Sequence, residues 1–197
     1  KPDVIARATE HIEDQVALIE ILIEKGYTYK TEQAVYFDVS KFPDYTKLSG
    51  QKLEEKIEGA RGDVVVDRKK KNPADFALWF FTVGRFATHT LRWKAPFGEG
   101  FPGWHIECSA MSMKYLGLSF DIHTGGTDHI PVHHTNEIAQ SESATGKPFV
   151  KYWVHHAFLT IEDEKMAKSK GNFYRISELS DHGFNPLSFR YLTFQTH

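Results

Sequence analysis

The chain has a single cysteine, so no disulfide can form within it. A secreted, bridge-stapled scaffold is therefore not expected, and a reducing, cytoplasmic setting suits the sequence better. Long apolar runs are missing too. No stretch approaches the roughly 20 residues that span a bilayer, and no signal-type segment follows Lys1, so no membrane partner is expected. Charge of one sign is also lacking: 24 Lys and Arg face 26 Asp and Glu, leaving a net charge of −2. No global field draws the chain to nucleic acid or to an anionic surface, although a local basic patch would be enough for such a contact. An initiator Met is absent, and the chain stops at Gln195-Thr-His197 without a terminating signal. Both ends read as cuts in a longer protein.

What remains is the composition of an ordinary folded chain, 41% hydrophobic and 25% charged, with enough residues for one sizeable core or two small ones. Eleven histidines is a high count, and most of them fall between His105 and His156. Residues Thr9 to Lys25 predict an amphipathic helix with Ile12, Val16, Ile19 and Ile23 inward, Thr9 as N-cap and Gly26 as its C-terminal glycine. Tyr27 to Val39 then changes to a period of two around a polar turn at Thr31-Glu32-Gln33, a hairpin signal. A short charged helix is expected from Ser49 to Glu58 and a brief strand at Val64-Val65-Val66. Arg68 to Lys71 is a basic run that reads as a solvated loop or a phosphate contact. Asp75 to Trp79 is aromatic-rich and should pack.

Further on, Gly103 to Gly117 predicts a turn and a helix, and Leu118 to Ile122 a buried parallel strand. Gly125-Gly126 is expected to form a turn, followed by a helix from about Val132 to Ser143 and short strands near Val150 to Val154 and Phe158 to Ile161. Helix, strand, glycine turn, helix and strand in succession predict a parallel α/β layer, with ligands at the carboxyl ends of its strands. His123 to Asp128 lies at one such end. The loop after Ile161 lies at another, and its Lys, Ser and Gly content suits closure over an anion.

One stretch concentrates the chemistry. Gly103-Trp-His-Ile-Glu-Cys108 is followed at Asp121 to Glu137 by a glycine pair, histidines and acids. Cys108, His133 and Glu137 are zinc-type ligands, and a helix through His133 would set Glu137 one turn along the same face. On the residues alone, a buried small thiol beside a solvated polar helix fits as well.

Four segments carry a family resemblance: Gly103-Trp-His-Ile-Glu-Cys-Ser-Ala-Met111, Phe120-Asp-Ile-His123, His133-His-Thr-Asn-Glu-Ile-Ala-Gln-Ser141 and Lys165-Met-Ala-Lys-Ser169. In this order, with Asn72-Pro-Ala-Asp-Phe-Ala-Leu-Trp79, they resemble the cysteinyl-tRNA synthetases, a class I aminoacyl-tRNA synthetase family. The resemblance implies an α/β fold: the second half of a Rossmann-like catalytic domain with an inserted connective-peptide domain of mixed α+β structure. Residues 1–26 would end the first half, 27–98 would be the insertion, 99–161 the second half, and 162–197 the signature loop and the start of a helical region.

The implied chemistry is ATP-dependent activation of cysteine to cysteinyl-adenylate, with magnesium, and its transfer to tRNA(Cys). Zinc held by Cys108, His133 and Glu137 would read the substrate thiol, a distinction that a steric pocket makes poorly. The resemblance places Trp104 against the substrate side chain. It makes Lys165 and Lys168 the catalytic signature lysines, Lys168 also contacting ATP, with Gly125 and Gly126 beside the adenylate. His123 and Asp128 are candidates for the substrate amine or ribose, or for groups supporting the metal ligands.

Departures from the family pattern are Ala167 for the first signature Ser, Phe101 for an Arg, and His129 and Pro131-Val132 before the histidine pair. The family's early ATP-binding histidine motif and a further zinc-ligating Cys have no counterpart here. An inactive isolated chain is thus expected, its partner the N-terminal half of the same protein or a second copy at an open sheet edge. Other readings of the same residues are a cysteine ligase of mycothiol synthesis, a non-catalytic zinc-binding half-domain, and a zinc hydrolase with Glu107 as base.

Overall fold

The computed structural model describes residues 1–51, 67–161 and 163–195. The expected strand at 64–66 and most of the expected helix at 49–58 lie outside these residues. The chain divides into two compact units, residues 1–124 with 128–154, and residues 125–127 with 155–197.

The first unit opens with a 3-10 turn, Ala8–Glu10, and helix α1, Ile12–Glu24. Thr9 falls inside the 3-10 turn and His11 takes the N-cap position, so the expected threonine cap is not formed. Gln15 ties the helix to the preceding turn, its Nε2 donating to the Ala8 carbonyl at 2.8 Å. The buried face is Gln15, Leu18, Ile19 and Leu22, whereas Ile23 is 40% exposed. The inward stripe is therefore turned by about one residue from the one predicted. Gly26 takes a positive φ of 76°, which lets the chain leave the helix at once.

The predicted hairpin is present as β1, Thr28–Lys30, and β2, Ala34–Phe37, paired antiparallel from Thr28↔Phe37 to Lys30↔Val35. Strands β3, Phe76–Phe81, and β4, Gly100–Pro102, extend the sheet in the order β1-β2-β3-β4, antiparallel throughout. All four β2 residues are buried, not the alternate ones expected, and a bulge at Val35/Tyr36 interrupts its register with β3. Leu18, Ile19 and Leu22 pack with Phe37, Leu78, Trp79 and Ile106 in one core. The basic run folds back on this sheet: Lys69 pairs with Glu32 at 2.6 Å, and Lys71 with Asp38 at 3.4 Å.

Helix α2, Trp104–Leu116, follows β4 directly. A Cβ on Gly103 would lie 2.0 Å from the Ala77 carbonyl oxygen, so only glycine lets the helix start against β3. Strand β5, Phe120–Gly126, takes in the glycine pair expected to form a turn. A π-helical turn, Ile130–His134, precedes α3, Thr135–Thr145, and strand β6, Val150–His156, follows. Strands β5 and β6 pair, and their neighbours advance together: Phe120 meets Phe149, Asp121 meets Lys151, and His123 meets Trp153. These two strands thus run in the same direction with α3 between them in sequence, the βαβ pattern the sequence predicted.

The second unit contains a hairpin of β7, Thr160–Ile161, and β8, Glu164–Lys165, then helices α4, Ile176–Asp181, and α5, Pro186–Gln195. Among the described residues, none in α4 or α5 is buried. No helix among the described residues is long and apolar enough to cross a membrane.

Candidate metal centre

Three elements converge in the first unit. Helix α2 brings Cys108, the π-turn brings His133, and the first turn of α3 brings Glu137. Their ligand atoms all lie within 4.8 Å of one another. The π-turn explains how two adjacent histidines both point inward. Pro131 has no N–H to donate, and Thr135 Oγ1 donates to the Ile130 carbonyl at 2.7 Å, so the turn opens wider than an α-turn. His133 and His134 are both buried as a result.

Glu137 is wholly buried. His133 Nε2 stands 2.9 Å from its Oε1, and His123 Nε2 stands 3.1 Å from its Oε2. These separations are short, yet neither oxygen receives an aligned hydrogen bond from the described residues. Burial pushes the carboxyl up, but His123 and His133 outweigh it and bring it down to about 2. Glu137 is thus an ionised, desolvated carboxylate with an imidazole nitrogen close to each oxygen. A buried charge in that state is costly unless a cation completes it. With a thiol and an imidazole within reach of the same carboxylate, the donor set fits zinc.

Cys108 is half-buried, and its thiol is pushed up to about 12 by burial and by the charges of Glu137 and Glu107. A metal bound there must displace that proton. His105 supports the group from behind, its Nδ1 lying 2.9 Å from Nδ1 of His133. Gln140 Nε2 donates to the His105 carbonyl and to Ser109 Oγ, each at 2.6 Å, and Ser141 Oγ donates to Ser109 Oγ at 2.8 Å. These bonds fasten α2 to α3 and fix where the ligands meet.

Trp104 covers the cluster, its ring centroid 4.2 Å from that of His133, with 43% of the residue exposed. His129 meets the Trp104 ring edge-on at 5.6 Å. Asp128 lies exposed in the short turn Thr127–His129. Gly125 and Gly126 end β5. Lys165 and Lys168 belong to the second unit, with Lys165 Nζ 3.4 Å above the Phe158 ring and Lys168 Nζ 5.4 Å above the Phe173 ring. There Asn172 organises the signature loop, accepting from the Ala167 N–H at 2.8 Å.

Of the predicted residues, the structure therefore brings together Cys108, His133, Glu137, His123 and Trp104. His105 and His134 were not singled out from the sequence. His105 shares a helical face with Cys108, three residues on, which was the available signal. His134 had none beyond its neighbour, because only a widened turn points both histidines inward. Phe101 stacks flat on His89 at 3.9 Å and meets Phe86 edge-on. Phe101, His89 and Glu107 line a separate pocket that holds none of the three ligands. Burial pushes the Glu107 carboxyl up, with His133 opposing, and the Glu107 charge in turn raises the Cys108 thiol.

Comparison with known proteins places these residues in context. Over residues 1–197 the sequence matches the family of tRNA synthetases class I (C) catalytic domain. It is 49% identical over 197 residues to a cysteine–tRNA ligase of Treponema denticola, covering 100% of this chain and 39% of that protein. A cysteine–tRNA ligase of Thermodesulfovibrio yellowstonii is 54% identical over 185 residues, or 92% of this chain and 37% of the relative. One of Pyrococcus horikoshii is 52% identical over 195 residues, or 99% and 40%. The chain thus spans well under half the length of these relatives.

Proposed function

We propose a cysteine-activating role from one premise: the chain belongs to the family of class I (C) tRNA synthetase catalytic domains. In the whole protein, a carboxylate oxygen of cysteine attacks the α-phosphorus of ATP, the bond to pyrophosphate breaks, and cysteinyl-adenylate forms. A terminal hydroxyl of tRNA(Cys) then attacks the carbonyl carbon, and AMP leaves. The observation that carries this reading is the Cys108, His133 and Glu137 group beneath Trp104.

Zinc held there would supply a coordination position that takes thiolate sulfur in preference to an alcohol oxygen, separating cysteine from serine. Cys108 would bind as thiolate, His133 through Nε2, and Glu137 through a carboxylate already ionised. Trp104 walls the substrate side chain. His123 faces the second Glu137 oxygen, and Asp128 offers an exposed carboxylate to the substrate ammonium. Gly125 and Gly126 admit the adenylate to the backbone without a Cβ. Lys165 and Lys168 lie on a loop that can close on the α-phosphate and pyrophosphate, where negative charge grows in the transition state; magnesium accompanies the ATP.

The relatives' greater length supports a shared site, with a further ligand and part of the nucleotide pocket coming from elsewhere in the protein. The isolated chain then does not aminoacylate tRNA. The test is cysteine-dependent ATP–pyrophosphate exchange by the full-length protein, with Lys168→Ala as the control for the loop. Exchange with cysteine and not serine, lowered about 100-fold or more by Lys168→Ala, is expected. Equal exchange with serine would overturn the proposal.

A further inference from the structure

A second cluster shares Glu137. His123 on β5, His134 in the π-turn and Glu137 on α3 also have ligand atoms all within 4.8 Å of one another. We propose that these three residues form a second divalent-metal position, built from nitrogen and oxygen alone and able to hold zinc or cobalt without Cys108.

Glu137 presents its two oxygens in different directions. Oε1 faces His133, in the Cys108 cluster, while Oε2 faces His123, in this one. Each cluster therefore has an oxygen of its own, and neither oxygen is occupied by an aligned hydrogen bond although both are buried. Two ligands bound about 2.0 Å from one tetrahedral ion sit about 3.3 Å apart. The 3.1 Å between His123 Nε2 and Glu137 Oε2 is already close to that spacing.

The imidazoles are also held in place. The rings of His123 and His134 lie 4.8 Å apart, and Trp153 packs against both, edge-on to His123 at 4.9 Å and tilted against His134 at 4.7 Å. His134 is 1% exposed. An indole wall packs two imidazoles beside a desolvated carboxylate, with His134 and Glu137 buried and His123 partly exposed. Two imidazoles and a carboxylate suit zinc, cobalt and related divalent ions, and no thiol proton has to leave for such an ion to bind.

The test uses this chain loaded with cobalt, with metal content and absorption spectra read after dialysis. Cys108→Ala should retain cobalt, showing its visible bands but not the near-ultraviolet sulfur-to-cobalt band. Cys108→Ser changes a single atom and gives the same reading should the alanine variant fail to fold. Adding His123→Ala, at a partly exposed position, or His134→Asn should weaken cobalt binding about 10-fold or more. A cobalt-free Cys108 variant would overturn the proposal. So would double variants that bind cobalt as tightly as the single one, since the ion would then sit on other histidines. The sulfur band of the unaltered chain reports on the thiol-reading site independently, so the two proposals fail separately.

Discussion

Replacing His105 with Phe tests how the ligands are held. Phenylalanine keeps an aromatic ring where His105 meets Phe76 edge-on at 5.6 Å, and removes both ring nitrogens, among them the one 2.9 Å from Nδ1 of His133. Without metal, either nitrogen of His133 can carry its proton, Nε2 facing Glu137 Oε1 and Nδ1 facing Nδ1 of His105. When Nε2 gives its lone pair to a metal, the proton must move to Nδ1, which then donates to His105. Imidazole serves in both directions because it can exchange tautomers, whereas a phenyl ring serves in neither. Loss of such a supporting partner lowers metal affinity about 10–100-fold, or about 1.4–2.8 kcal/mol. Zinc affinity measured by chelator competition, beside thermal unfolding to verify the fold, reads this directly. Glutamine at 105 offers both an acceptor and a donor and should recover part of the loss. A folded His105→Phe chain binding zinc within about twofold of the original would refute the reasoning.

Other expectations follow from the same geometry. Because the Cys108 thiol is held up near 12, zinc uptake at the thiol site should release about one proton, and affinity should rise about tenfold per pH unit. An affinity flat from about pH 6 to 8, against that linkage, would show that Cys108 does not bind as thiolate. In the metal-free chain, a thiol pKa raised from 9.0 favours the fold below the ordinary thiol range. That contribution is lost as pH climbs toward 12, which alkaline denaturation of the unaltered chain against Cys108→Ala would reveal. Gly103→Ala should destabilise by about 3 kcal/mol, since the obstructing atom is backbone and can yield only by moving α2 off β3; urea unfolding measures it, and a neutral effect would deny the close approach. Ile106→Ala, at a fully buried core position, should cost about 2–5 kcal/mol in the same assay, and a loss under about 1 kcal/mol would mean the site collapses freely.

Local pattern was informative where one element sufficed to decide. The glycine at 26, the hairpin around residues 31–33 and the helix closed by Gly117 follow from short-range chemistry that a sequence displays. The inward face of α1 did not follow, because it takes in the polar Gln15, whose amide donates to the Ala8 carbonyl, and leaves Ile23 40% exposed. Burial of all four β2 residues was equally hidden, since it depends on β3 and the core covering both faces of that strand. At the site, Cys108, His133 and Glu137 were legible as ligand types at suggestive spacing. The parts they share were not. That Glu137 serves two clusters, that His105 backs His133, and that a π-turn exposes both His133 and His134 to the interior are facts of three elements meeting.

The most direct measurement is zinc K-edge X-ray absorption on the full-length protein at one equivalent of zinc, with and without substrate. The account predicts sulfur in the first shell, supplied in part by Cys108, and one further sulfur on adding cysteine but none on adding serine. A first shell without sulfur, or one indifferent to cysteine, would contradict a thiol-reading site at Cys108, His133 and Glu137.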